Sequence, residues 1–125
     1  ANWAYTIRSR ALYSFPWLWK TFNDLVLPMA LEEAERFRPH AIHSNSQAVS
    51  LGWQLAEAME VPHVWHIREF GWKDYQLVFP LGKALWLEKL GRAARLICIS
   101  RSIQQAVSEV NAPNTVIYNG IGPLE

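Results

Sequence analysis

Pro62-His63-Val64-Trp65-His66-Ile67-Arg68-Glu69 reads as a short buried strand that ends in a polar cluster, with Phe70-Gly71 behind it. The apolar character holds through Ile67, while His66, Arg68 and Glu69 bring ionisable side chains together at the strand's end. Open α/β sheets present chemistry in this way, because their ligands sit beyond the carboxyl ends of the strands.

The same rhythm recurs on both sides of this stretch. Upstream, Ala41–Ser44 is a short strand, and Ser46 to Met59 carries Val49, Leu51, Leu55, Ala56 and Met59 at helical spacing, with Ser46 placed as the cap. Downstream, a loop with Gly71 and Pro80 leads to a helix from about Leu81 to Leu90, ended by Gly91. Leu96–Ser100 is a third strand, Ser102–Val110 a helix, and Thr115–Tyr118 a fourth strand after the turn Ala112-Pro113-Asn114. Alternating strands and helices with short joints predict an α/β fold, a Rossmann-like parallel sheet of about four strands with flanking helices. The run Leu-Ile-Cys-Ile (96–99) is continuously apolar, which predicts a sheet covered on both faces.

Residues 1–37 break the pattern and form a helical, aromatic-rich segment. Ser14 or Phe15 precedes a helix with Pro16 in its first turn. A second helical segment, Pro28–Phe37, places Glu32, Glu33 and Glu35 near its start, where the helix dipole favours carboxylates. The α/β domain then occupies 38–118, and 119–125 reads as the start of a linker.

Bulk properties narrow the classes. A chain of 125 residues, 50% hydrophobic and 18% charged, is one globular domain. A net charge of +1 gives no electrostatic reason to expect nucleic acid. The single Cys98 lies in an apolar run and reads as a buried structural thiol in a reducing compartment. The greasy stretch Leu12–Leu31 is interrupted by Lys20, Asn23, Asp24 and Pro28, which argues against a membrane-spanning helix.

The histidines form two His-x-x-His pairs, His40/His43 and His63/His66. Residues three apart on a strand point to opposite faces, so neither pair chelates a metal from one strand, and no metal or other cofactor is expected. His43-Ser44-Asn45-Ser46 and Ser100-Arg101-Ser102 each lie between a strand end and a helix start. Small polar residues there serve as helix caps, and equally as donors to a bound polyol or phosphate. Arg101 is either a solvated side chain or an anion contact. Arg68 and Glu69 either pair with each other or serve a ligand beside His66. Neither a Gly-x-Gly-x-x-Gly nor a Walker loop is present in these residues, nor a nucleophile elbow.

Four stretches in order, Arg-Pro-His-Ala-Ile-His-Ser-Asn-Ser (38–46), Val-Pro-His-Val-Trp-His-Ile-Arg-Glu-Phe-Gly (61–71), Ala-Arg-Leu-Ile-Cys-Ile-Ser-Arg-Ser-Ile (94–103) and Val-Ile-Tyr-Asn-Gly-Ile (116–121), resemble the N-terminal half of a family 4 glycosyltransferase of the GT-B fold. The resemblance implies a retaining transfer from a nucleotide-activated sugar without an obligatory metal. It implies that this chain supplies the acceptor side of the cleft, for a saccharide or lipid-linked acceptor, while a C-terminal domain binds most of the donor. By motif, His66 matches the strand-end His that faces the donor sugar. Arg68 and Glu69 would orient it or touch the acceptor, Ser44, Asn45, Ser100 and Arg101 would line the cleft, and Asn119-Gly120 would begin the hinge. The family's early strand with its glycine-rich loop and its nucleotide domain are not matched, so a fragment, catalytically silent alone, is expected. An open sheet edge or the Trp-rich segment (Trp3, Trp17, Trp19) is expected to pair with a second copy. A cytoplasmic location with peripheral membrane contact fits a lipid-linked acceptor. The competing reading is a non-catalytic sugar- or phosphate-binding α/β module.

Overall fold

The computed structural model describes residues 5–6, 16–71, 77–78 and 82–120. Trp3, the expected cap at Ser14 or Phe15, Pro80 and the linker beyond Gly120 lie outside them. The elements run β1 (Tyr5–Thr6), α1 (Pro16–Phe37), β2 (Ile42–Ser44), α2 (Leu51–Ala58), β3 (His63–Ile67), β4 (Leu77–Val78), α3 (Lys83–Gly91), β5 (Arg95–Cys98), α4 (Arg101–Ala106) and β6 (Asn114–Val116).

Four strands form a parallel sheet in the order β2-β3-β5-β6, the Rossmann-like arrangement expected. A short antiparallel pair, Tyr5 with Val78 and Thr6 with Leu77, stands apart from it and was not legible in the sequence. Because the parallel strands follow chain order, right-handed crossovers place the connecting helices on one face. The burial pattern agrees. His63, Trp65 and Ile67 of β3 are buried, whereas Val64 and His66 between them are half-buried. Trp65 and Ile67 lie in register with Leu96 and Cys98. Those four join Trp86 and Leu90 of α3, Ile103 of α4 and Val107 just after it in one core. Fully burying side chains such as Ile67, Leu90 and Leu96 contributes about 1.5–3 kcal/mol each.

Among the described residues the second face is not fully covered, contrary to the expectation of cover on both faces. The other face carries His43, Val64, His66, Arg95, Ile97 and Thr115, all half-buried or exposed. The apolar run 96–99 includes Ile97 and Ile99, which are only half-buried.

Helix boundaries also differ from expectation: α4 ends at Ala106 and not at Val110, and the two larger differences lie in α1 and α2. α1 is one helix of 22 residues with Pro28 inside it, not two segments. Pro28 forgoes a single backbone bond and stays exposed, so the helix continues through it. Glu32, Glu33 and Glu35 consequently sit toward its carboxyl end, where Arg36 pairs with Glu32 and Glu33. α2 starts at Leu51 and not after Ser46, because Ser46 and Gln47 bond Glu69 instead. After β5 the expected cap holds, with Ser100 Oγ accepting the Ile103 N–H at 3.2 Å.

Candidate functional site

Three neighbouring strands, β2, β3 and β5, end together and release the loops that begin at Asn45, Arg68 and Ile99. Adjacent strands lie about 4.8 Å apart, so the three loop starts fall within about 10 Å of one another. This is the end of the sheet where ligands of open α/β folds sit.

The β2 and β3 loops are laced together. Glu69 Oε1 accepts the Ser46 hydroxyl at 2.6 Å and the Gln47 backbone N–H at 2.9 Å. The Gln47 side-chain amide donates to the Glu69 carbonyl at 2.6 Å. Trp65 Nε1–H reaches the Ser46 carbonyl at 2.8 Å, and Ser46 Oγ accepts the Ala48 N–H at 3.1 Å. Ser46 is thus a loop tie and not a helix cap. Gln47 and Glu69 are buried, which a carboxylate tolerates only with partners of this kind. Gly71 completes the fit at φ +73°, since a Cβ there would stand 3.3 Å from the Gln47 amide nitrogen.

His66 lies on the face opposite this lacing. Its ring stacks on His43 of β2, with centroids 5.7 Å apart and planes 17° from parallel. His66 Nε2 is buried without a hydrogen-bond partner. Burial pushes its pKa below 6.5, His43 and Arg68 push the same way, and Glu69 opposes them. The ring is therefore neutral near pH 7, and a neutral imidazole offers one donor and one acceptor.

Ser44 and His63 belong to the covered face, where Ser44 Oγ and His63 Nε2 are 2.8 Å apart. His63 and His66 thus point to opposite faces, as the strand period requires. Burial, with His43 adding to it and Glu57 opposing, lowers His63 to about 4.

Of the residues singled out from sequence, Ser44, Glu69 and Ser100 have hydrogen-bond partners within the protein. Asn45, Arg68, Arg101, Asn119 and Gly120 are exposed, and Arg68 forms no ion pair with Glu69. Sequence reasoning placed His43 and Gly71 at this end of the sheet but missed Gln47, the stacking of His43 on His66 and the fit of Gly71 against Gln47. Only the pairing of His43 with Val64, which sets His43 diagonal to His66, would have revealed the stack. Among the described residues no group of His, Cys, Asp and Glu is arranged to hold a metal ion.

A cavity of about 260 Å³ opens at the other end of the sheet, beside Trp53, Glu57, Pro62, His63, Lys89 and Ala94. There Lys89 lies 4.3 Å from the Trp53 ring centroid and bonds Glu57 at 3.0 Å. Arg92 bonds the same carboxylate at 3.3 Å, so the charges tie α2 to α3.

A four-stranded parallel sheet thus carries, at its carboxyl end, loops tied to one another and a half-buried histidine whose Nε2 has no hydrogen-bond partner. The chain belongs to the glycosyl transferase 4-like domain family, whose model matches residues 4–120. No curated protein and no solved structure matches it significantly.

Proposed function

We propose that this domain forms the acceptor-side half of the cleft of a retaining glycosyltransferase. The observation that supports the reading most directly is the family match over 4–120, with His66 at the end of β3 carrying an unpaired, buried Nε2. In this reading His66 hydrogen-bonds the donor sugar as positive charge develops at its anomeric carbon. Asn45, Arg68 and Arg101 contact a saccharide or lipid-linked acceptor from the adjoining loops. The nucleotide of the donor is held mainly by a further domain, joined through the Asn119-Gly120 hinge. Chemistry requires donor and acceptor held together, so this domain is inactive by itself. No metal or cofactor takes part.

No helix among the described residues is long and apolar enough to cross a membrane. A cytoplasmic location with peripheral membrane contact is part of the proposal. So is self-association through the β2 edge or the aromatic opening segment. Leu25, Met29 and Phe37 of α1 are exposed apolar side chains, which supports a contact through that helix.

The test uses the full-length protein with UDP-glucose, UDP-N-acetylglucosamine and GDP-mannose as donors and a panel of octyl glycosides as acceptors. Transfer with retained anomeric configuration is expected, undiminished by EDTA. His66→Ala should lower kcat by about 10²–10³, the usual effect of deleting one preorganised contact to the transition state. Full activity in that variant, or inverted product, counts against the mechanism.

A further inference from the structure

Glu69 belongs to the polar cluster at the end of β3, yet its surroundings are those of a fixed structural group. It is 7% exposed, and no cation pairs with it among the described residues. Its Oε1 takes two hydrogen bonds from Ser46 and Gln47, and its carbonyl takes a third from Gln47. These link two loops more than twenty residues apart in sequence.

What this fixes is Asn45. Ser44, just before it, is anchored to His63 on the covered face. Ser46, just after it, is held by Glu69 and by Trp65 Nε1–H. Asn45 is the one exposed residue between 44 and 56, so the lacing presents a single carboxamide to solvent at the end of β2. A carboxamide with both donor and acceptor atoms matches the hydroxyl array of a saccharide.

We infer that Glu69 is a positioning residue: it locks the β2 loop so that Asn45 meets the sugar hydroxyls of the acceptor, and it touches neither substrate itself. The inference deepens the glycosyltransferase reading and rests on it. The conservative replacement is informative, because the amide oxygen of Gln accepts the same two bonds from Ser46 and Gln47. An alanine accepts none, and the Gln47 N–H loses its partner.

The experiment is carried out on the full-length protein with two readouts. Hydrogen–deuterium exchange reports the Gln47 and Ala48 amides directly, and transfer to octyl glycosides reports acceptor KM and kcat. Glu69→Ala should speed exchange at 47–48 by about tenfold or more while β5 stays protected, the effect of losing a buried hydrogen-bond acceptor. It should raise acceptor KM by about tenfold with kcat changed much less. Glu69→Gln should restore both readouts to near wild type. Ser46→Ala removes its bond to Glu69 and also the acceptor of the Ala48 N–H, but leaves the Gln47 N–H on Glu69. It should therefore show a smaller change at Gln47 in the same direction, and it serves if Glu69→Ala does not fold.

Unchanged exchange at Gln47 in Glu69→Ala, or in Ser46→Ala, overturns the clamp. Loss of kcat in Glu69→Gln with the loop still protected makes Glu69 a chemical participant and overturns the positioning role. If the wild-type protein transfers no sugar, the glycosyltransferase reading fails and the acceptor role fails with it, while the exchange data still decide whether Glu69 holds the loop.

Discussion

Acidification should destabilise this domain through His63. The ring is buried against Trp65, with centroids 4.8 Å apart, and shares a 2.8 Å hydrogen bond with Ser44. Its pKa falls from 6.5 to about 4, chiefly because burial penalises the charged form. A folded-state pKa below the unfolded value means that the unfolded chain binds the proton first. The stabilisation is therefore fully present above pH 6.5 and is lost as pH falls through the window toward 4. Linkage over that window amounts to about 2 kcal/mol lost by pH 5 and about 3 kcal/mol in all. These are upper values, since solvent at the mouth of the adjoining cavity screens part of the charge. His66 is shifted in the same direction and adds to the loss.

The assay is urea unfolding followed by Trp fluorescence at pH 7.5 and pH 5, in wild type and in His63→Gln. Glutamine keeps a polar partner for Ser44 but does not titrate. The variant should be less stable at pH 7.5 yet lose about 2 kcal/mol less than wild type on going to pH 5. Equal losses in the two proteins would refute the assignment of the acid sensitivity to His63.

Gly52→Ala should cost about 1–3 kcal/mol, visible as a lowered melting temperature, because the new Cβ would stand 2.0 Å from Ser44 Oγ and 3.2 Å from His63 Nε2. Lys89→Met keeps the aliphatic stem over Trp53 but removes the ammonium. The expected loss is about 1 kcal/mol in urea unfolding, and a cycle with Glu57→Gln should show coupling between the two positions. Glu69→Gln removes a carboxylate that holds the His66 pKa up. An NMR titration should then find His66 lower than in wild type, and an unchanged or raised value would contradict the electrostatics.

The sheet was legible in sequence because its strands are signalled locally. Val64 to Ile67 and Leu96 to Ile99 are apolar runs flanked by polar joints, and each is followed by a helix before the next strand of the parallel sheet. Parallel pairing in chain order follows from that alternation, and so does the end of the sheet at which polar loops gather. The faces were harder to read. Ile97 and Val64 are as apolar as their buried neighbours, and only the arrangement of crossovers leaves them half-exposed.

The site was legible in composition but not in its division of labour. His66, Arg68 and Glu69 stand next to one another in sequence, and strand alternation alone separates His66 from its neighbour Ile67 on the core face. The partners of Glu69 are Ser46 and Gln47, more than twenty residues earlier, and no local rule couples them. That long-range competition is also why the helix expected from Ser46 begins only at Leu51. A serine that could have capped a helix instead donates to a buried carboxylate, which a charge-assisted bond favours over a neutral cap. The choice sends the backbone through an irregular loop with one outward side chain, Asn45, between two anchored serines. An error in a helix boundary thus marks the place where the fold gives up regular structure to hold a loop at the ligand end of the sheet.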